Sequence, residues 1–405
     1  MRILVLNQYY HPDQSSTAQL LTELCEDLAE HHEVTVVSGR PSYNPVERDV
    51  ARREVVRGVR VVRSRSTTFH RANMAGRVTN YATYVASSFG DAMAAGRPDV
   101  VLAMTDPPVV AAAAAAVSRA RGVPFVYVNQ DLFPQVAVAL GRLRNPAIVG
   151  GLSRLNRGLR RRAARIVAIG RDMAGRLIAD GAPASKIHVI PNWADGRALR
   201  PLDGRSALRR EHGWEGRFVV MHSGNVGLSQ DLETFLDAAE RLRDEPDVVC
   251  AIVGDGAGAA VLKERASRSG LCNVRFLPYQ PKAELADSLG AADVHLISLR
   301  PGLSGAIVPS KVYGIMAAGK PFLAAVDPGS EPALLAEEHG CGVRVDPSCP
   351  DGLADAIRRV RGLPLAEMGR RAREAFESRY DRPIAAAAYR RLLEETASLG
   401  PSGCR

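Results

Sequence analysis

The sequence predicts an α/β protein with two consecutive doubly wound domains, on three observations. Runs rich in Val, Ile and Leu, with no polar face, alternate with amphipathic helical patterns, as parallel strands covered on both sides require. The alternation runs twice, before and after a Pro- and Gly-containing break, "KIHVIPNWADGRALRPLDG", at residues 186–204. The chain has 405 residues, and at about 150 residues per domain that length suggests two or three domains.

In the first half the order is "RILVLN", "TAQLLTELCEDLAEHH", "EVTVVSG", "PDVVLAM", "PFVYVNQ" and "ARIVAIG". The opening "MRILVLNQYYHP" stops at a polar loop after a short apolar run, so it reads as a first strand rather than an export signal. The Ala-rich stretch 107–122 soon meets arginines and falls short of a membrane span, which needs about 20 apolar residues; it reads as a buried helix. In the second half "RFVVMHSG", "DLETFLDAAERLRDE", "VVCAIVGDG", "AVLKERASRSG", "NVRFLPYQ", "AELADSLGAA", "DVHLIS", "SKVYGIMAAG" and "KPFLAAVD" repeat the scheme. The expected division is a first domain over 1–192, a second over 193–380 and a last helix with a loose tail over 381–405, with a hinge near Asn192 to Arg200.

Composition is that of an ordinary globular protein, 46% hydrophobic and 24% charged. The six cysteines lack CxxC spacing and read as small thiols, not as a disulfide framework or a zinc site. The net charge is +9, and it is unevenly spread: residues 1–195 hold 25 Lys and Arg against 16 Asp and Glu, the remainder 28 against 28. That bias points to an anionic partner near the first half, phospholipid, nucleic acid or a phosphorylated acceptor, with scattered solvated arginines as the plainer alternative.

In doubly wound sheets ligands settle beyond the carboxyl ends of the strands, so function is expected on strand-to-helix loops around a cleft between the domains. The first loop, "NQYYHPDQSSTAQ", lacks the GxGxxG of a dinucleotide site, which disfavours a nicotinamide enzyme. "VGDGAG" (253–258) has a misplaced third glycine and reads as a tight turn, and no GxxxxGK[ST] is present. Two loops do look like anion cradles. "HSGNVGLSQDLETFL" (222–236) leaves a strand through Ser223, Gly224, Asn225 and Gly227 and then starts a helix, exposing backbone N–H groups. "LSGAIVPSKVYGIMAAG" (303–319) does the same, with Pro309 placed for a helix's first turn. Its Lys311 is one of only five lysines in an arginine-rich chain; it reads as a diphosphate counter-charge or as a solvated lysine.

Taken with "QDLFPQVAVALG", "KIHVIPNWAD", "LPYQP" and "VPSKVYGIMAAGKPFLAAVDPGSE", these stretches resemble glycosyltransferases of family 4 with the GT-B architecture, over essentially the whole chain. The branch it is most similar to transfers sugars in bacterial surface-polysaccharide assembly, including the colanic-acid and O-antigen N-acetylfucosamine transferases. GT-B implies two Rossmann-like domains facing across a cleft, with the last helix returning toward the first. The resemblance implies that Gly224, Asn225, Gly227 and Gln230 line a donor diphosphate, and that Gly254 and Asp255 lie beside the nucleoside. Backbone at Leu277 and Tyr279 would meet the base, while Ala306, Ile307, Val308 and Ser310 share the donor loop of Lys311. From the first domain it implies Ser15 and Ser16 near the diphosphate and acceptor, and Gln130 and Asp131 near the transferred sugar. Lys311, Asp131, Gln130 and Ser16 are thus the expected catalytic set. The chain departs from the family pattern at Ala306 and Gly314, where two glutamates are common, and at Asn225 or a neighbour and Gln230, where an Arg and a Lys are. Gln130 stands in for a usual histidine, and Glu331 is a candidate to reach the ribose instead of the missing glutamate.

The resemblance further implies retention of anomeric configuration, no metal or other cofactor, and a nucleotide diphosphate sugar as donor. UDP is favoured over GDP, with UDP-N-acetylhexosamine as the type. The acceptor is a glycan, lipid-linked or small-molecule hydroxyl. The chain contains no DxD motif or His cluster that would argue for a metal. Residues 63–89 and 141–167 mix arginines with apolar residues, as suits a cytoplasmic protein peripheral to the inner face of the membrane. Nucleic acid is not an expected partner, since aromatics make up only 5% and no module is present. The alternative enzyme is a non-hydrolysing sugar-nucleotide 2-epimerase of the same architecture.

Overall fold

A computed structural model describes residues 1–41, 50–69, 74–202 and 206–400. Residues 42–49, part of the first basic stretch (70–73), part of the linker (203–205) and the end of the tail with Cys404 (401–405) lie outside the described residues. The chain forms two compact units. The first is Met1–Val138 and Leu143–Pro191 with the residues from Ala385 on, and the second is Ala139–Arg142 with Asn192–Ile384.

The first unit contains β1 (Arg2–Leu6), α1 (Ser16–Ala29), β2 (Glu33–Ser38), β3 (Arg53–Val56), β4 (Val59–Arg63), α2 (Met74–Ala94), β5 (Val100–Ala103) and α3 (Val110–Arg121). It continues through β6 (Phe125–Asn129), α4 (Gln135–Ala139), α5 (Pro146–Arg162), β7 (Arg165–Ala168), α6 (Arg171–Ala179) and β8 (Ile187–Val189). The strands order as β3-β4-β2-β1-β5-β6-β7-β8. Its central strands are buried throughout, which is why they read as unbroken apolar runs. Two features differ from the expectation. Strand β3 is antiparallel to β4, because Arg57 and Gly58 both take positive φ and close a two-residue hairpin. Residues 187–189, expected within the linker, instead pair with β7 as an edge strand.

The second unit contains α7 (Ala207–Glu211), β9 (Phe218–Ser223), α8 (Leu232–Arg241), β10 (Val248–Val253), α9 (Ala259–Arg268), β11 (Val274–Leu277), α10 (Leu285–Gly290), β12 (Val294–Ser298) and α11 (Lys311–Ala317). Then follow β13 (Phe322–Ala325), α12 (Glu331–His339), β14 (Gly342–Val345), α13 (Pro350–Val360) and α14 (Leu365–Arg379); α15 (Arg382–Ser398) begins here and from Ala385 on belongs to the first unit. The order β11-β10-β9-β12-β13-β14 is parallel throughout. Alternation along β10 sends Cys250 and Ile252 to a layer with Phe235 of α8, Leu262 of α9 and Ile357 of α13, and Val249 and Ala251 to a layer with Trp214. A third cluster packs Ile297 and Phe322 against Tyr313 and Met316 of α11 and Phe376 of α14. Each such fully buried side chain contributes about 1.5–3 kcal/mol relative to exposure.

The topology fixes where a ligand can lie. In each sheet the strand order reverses beside its first strand, between β1 and β5 and between β9 and β12. The crevice outside the carboxyl ends of such a pair is where open α/β sheets bind ligands. In the second unit this selects the loops after β9 and β12, the two anion cradles of the sequence. The loop after β10 packs against the loop after β9 without side chains between them. A Cβ at Gly254, whose φ is +139°, would lie 2.0 Å from the Gly224 carbonyl oxygen.

Gly254→Ala is therefore expected to cost about 2 kcal/mol or more, from strain plus collision. Gly90→Ala, in α2 with nothing within 4 Å of its Cβ position, is expected to stabilise by about 0.5–1 kcal/mol. Urea denaturation of the two variants beside the parent checks both.

Candidate active site

The second unit gathers most of the candidate residues. Gly224 turns at φ +116° directly after β9, and its N–H donates to the Val253 carbonyl at 2.9 Å. Val226 N–H donates to Asp255 O at 2.9 Å, and Gly254 N–H to Leu277 O at 2.9 Å, so the backbones of three successive loops are laced together. The Tyr279 hydroxyl donates to Asp255 O at 3.3 Å, on an exposed rim.

The loop after β12 joins this cradle. Arg300 N–H donates to Ser229 O at 2.9 Å and its Nε to Leu228 O at 2.5 Å. Asp327 accepts from Gly302 N–H at 2.9 Å and from the Ser304 hydroxyl at 3.0 Å. Ala306 and Val308 are buried, Ile307 and Ser310 half-buried. Ser310 is the N-cap, without a side-chain cap bond, and Lys311 opens the seven-residue α11. Pro309 thus lies outside the helix, not in its first turn as expected, and the charge at this helix start comes from the lysine side chain.

Lys311 reaches back to β9. Its Nζ lies 3.1 Å from His222 Nε2 and 3.6 Å from where a Gly224 Cβ would be, so the turn admits the amine because it lacks a side chain. Burial brings the Lys311 amine down to about 7. His222 is fully buried, and burial first, then the Lys311 charge, holds its imidazole well below the usual range. The ring is neutral. Its Nε2 also lies 3.4 Å from Asn225 O, but the shorter contact is to Lys311, whose N–H donates to the bare nitrogen. The sequence reading missed His222; the one available signal was a histidine inside the apolar strand "FVVMHS".

Gln230 is buried, its carbonyl accepting from the Ser298 hydroxyl and its Nε2 donating to Ser229 Oγ at 3.3 Å. Gln230 Oε1 and Ser223 Oγ are buried without a hydrogen-bond partner. Asp231 follows with φ +49°; its carboxylate accepts from Thr234 Oγ1 at 2.8 Å and Ser348 Oγ at 2.7 Å, which fixes the start of α8. Asn225 and Asp255 are exposed, whereas Glu331 is buried at the first position of α12. A Cβ at Gly314 would face Leu199 and Leu289 at 3.7 and 3.9 Å. That place points into apolar packing, where a glutamate would be desolvated.

The first unit holds the other candidates. Ser15 caps α1, its Oγ accepting from Ala18 N–H at 3.2 Å, and Ser16 is exposed beside it. The backbone N–H groups of Gln130 and Asp131 both face Thr105 Oγ1, at 3.2 and 3.4 Å. Crowding by protein and then the Asp106 carboxylate push the Asp131 carboxyl up to about 7, although its own surface stays open to solvent. A cavity of about 10 Å³, room for about one water molecule, lies beside it between Tyr127, Asn129, Asn156 and Arg160. Arg160 is buried and pairs with Asp180 at 2.6 Å.

Among the described residues no group of three or more His, Cys, Asp or Glu is arranged to hold a metal ion, and no helix is long and apolar enough to cross a membrane.

Two families match in series. Residues 17–193 match the "Glycosyl transferase 4-like domain" and residues 204–377 match "Glycosyl transferases group 1". The chain belongs to the glycosyltransferases, and its fold is GT-B. It is 32% identical over 308 residues to "Probable glycosyltransferase WbjE" of Pseudomonas aeruginosa, covering 75% of this chain and 77% of that protein. It is 29% identical over 386 residues to "Putative colanic acid biosynthesis glycosyl transferase WcaI" of Escherichia coli K12, covering 90% and 93%. Among solved structures, Anabaena Alr3699/HepE in complex with UDP and glucose superposes with a TM-score of 0.73 at 19% identity, covering 98% of this chain and all of that one. The families matched are transferases; none of these findings favours the epimerase alternative.

Asp131 supplies a pH test. Its folded value lies above the unfolded one, so its protonation stabilises the chain at low pH and that contribution is lost as pH rises through about 7. Carbon-detected NMR of the carboxyl should show a midpoint near that value, and Asp106→Asn should lower it by removing the neighbouring charge. An unmoved midpoint would exclude Asp106 as a cause.

Proposed function

We propose that the chain is a retaining, metal-independent glycosyltransferase that moves a sugar from a UDP-linked donor, of the UDP-N-acetylhexosamine type, to a hydroxyl of a glycan or polyprenyl-linked acceptor in surface-polysaccharide assembly. One observation carries the reading. Lys311 Nζ sits beside the side-chain-free Gly224 turn, at a sheet's switch point, in a loop cradle rich in small residues. Breaking the bond between an anomeric carbon and phosphate leaves negative charge on the diphosphate, and an ammonium with aimed N–H groups stabilises it. Within this reading Gly224, Asn225, Gly227 and Gln230 line the diphosphate, and Gly254, Asp255, Leu277 and Tyr279 the nucleoside. The buried Glu331 meets the ribose, Ser15 and Ser16 approach the acceptor, and Gln130 and Asp131 hold the transferred sugar. The leaving phosphate takes the acceptor's proton.

Support also comes from the relatives. WcaI is described as a colanic acid biosynthesis transferase, and HepE, which shares the fold, was crystallised with UDP and glucose. A peripheral membrane position fits α5, on which Ile148 and Leu155 are exposed beside Arg154, Arg157 and Arg161.

Thermal-shift titration with UDP, GDP and NAD should show stabilisation by UDP that fades in Lys311→Ala. Turnover in that variant should fall on the order of 100-fold, and EDTA should leave the wild-type rate unchanged. A near-normal rate in Lys311→Ala would remove it from the chemistry, and stabilisation by NAD alone would sink the transferase-donor reading. Flotation with liposomes should depend on anionic lipid and weaken with salt; indifference to both would remove the membrane.

A further inference from the structure

We propose that His222 is the positioning residue of the donor site: its ring holds Lys311 Nζ at the Gly224 turn, where the amine meets the diphosphate. The inference rests on the donor reading above and assigns a role to a residue outside the binding loops. Three observations bear on it.

His222 is rigidly placed. It lies on β9, which is paired in parallel with β10 on one side and β12 on the other, and His222 itself stands opposite Ile252 in that register. It has no exposed surface. A lysine, by contrast, has a long flexible side chain whose ordering costs conformational entropy. An acceptor fixed in a sheet therefore selects one placement of Nζ before any ligand arrives, the preorganisation that a charge-stabilising site needs.

The ring has the right chemistry. The titratable groups that act on it are Lys311 from α11 and His295 from β12, both of which favour the neutral form; His295 is itself held down to about 4, mainly by burial. No carboxylate is among the groups shifting His222 or Lys311. A neutral imidazole is an acceptor that adds no charge, so the positive charge of the site stays on the amine. A carboxylate at the same place would neutralise it and compete with phosphate.

Packing alone does not call for a histidine here. The neighbours Val219, Val220 and Met221 are apolar and buried, and the ring brings two nitrogens in among them, with Nε2 facing Lys311 Nζ and, at 3.4 Å, Asn225 O, and the Leu296 backbone also bearing on the ring. Burying polar atoms carries a desolvation cost, so a residue chosen for the core alone would be apolar. The Nε2 edge, facing Lys311, gives the ring a use.

The test has two arms. With only five lysines in the chain, carbon-13 labelling at lysine Cε gives a simple spectrum in which Lys311→Ala identifies one signal. Relaxation of that signal should report a fixed amine in wild type and in His222→Gln, whose amide oxygen can replace Nε2, and a mobile one in His222→Leu. In the second arm UDP affinity should fall about tenfold in His222→Leu and return to within about twofold in His222→Gln. The double variant His222→Leu/Lys311→Ala should bind UDP no more weakly than Lys311→Ala alone, since His222 acts through the lysine. If His222→Leu does not fold, His222→Asn, too short to reach Nζ, takes its place in both arms. Additive losses in the double variant, or a Lys311 signal as fixed in His222→Leu as in wild type, would overturn the proposal. A fixed Lys311 in a wild type that ignores UDP would bring down the donor reading instead, and with it the purpose assigned to this pair.

Discussion

The direct contact of backbone with backbone at the carboxyl end of the second sheet is the constraint on which the candidate site depends. A Cβ on Gly254 would fall on the Gly224 carbonyl, and one on Gly256 would fall 2.5 Å from Val226 O. Because these positions are bare, the loops after β9 and β10 close on each other and hydrogen-bond through Val226 and Asp255. The same bareness at Gly224 leaves room for the Lys311 amine. Glycine is used here for close approach as much as for its freedom at positive φ.

Around that contact the packing supplies rigidity. Strand β9 is central in its sheet, and the loop after it is tied down by Ser298 to Gln230, Arg300 to Leu228 and Ser229, and Ser348 to Asp231. At the start of the unit, Arg373 of α14 donates to the carbonyls of Leu199 at 2.8 Å and Ala317 at 2.5 Å. It thereby links the entering segment to the end of α11, the helix that Lys311 begins. A charge placed at the head of a helix held in this way keeps its position, which electrostatic stabilisation of a leaving group requires.

Lys311 and Asp131 carry shifts that follow from their surroundings. Burial lowers Lys311 to about 7, so an anionic ligand would restore the ammonium by supplying the partner that the protein withholds. Asp131 moves the other way, up to about 7, through crowding and Asp106. Perturbed groups at the carboxyl ends of strands are characteristic of functional sites, although structural ion pairs perturb such groups as well.

Much of this was legible in the residues, for reasons of period and turn chemistry. Apolar runs without a polar face announced buried parallel strands, and β5, β6 and β10 are buried throughout. A lone lysine in a small-residue loop marked Lys311, and "HSGNVG" and "VGDG" marked the turns. The hairpin of β3 and β4 was missed because Arg57 gives no turn signal of its own. Sequence alone thus determined the strand-helix alternation, the two-fold repeat of the scheme and the loops that carry glycine, since each depends on neighbours along the chain. Only the tertiary structure decided that His222 holds Lys311, that Asp106 faces Asp131, and that the place of Gly314 points at Leu199 and Leu289. Those pairs lie 89, 25, 115 and 25 residues apart in the sequence, and such contacts are set by strand order and packing rather than by any local pattern.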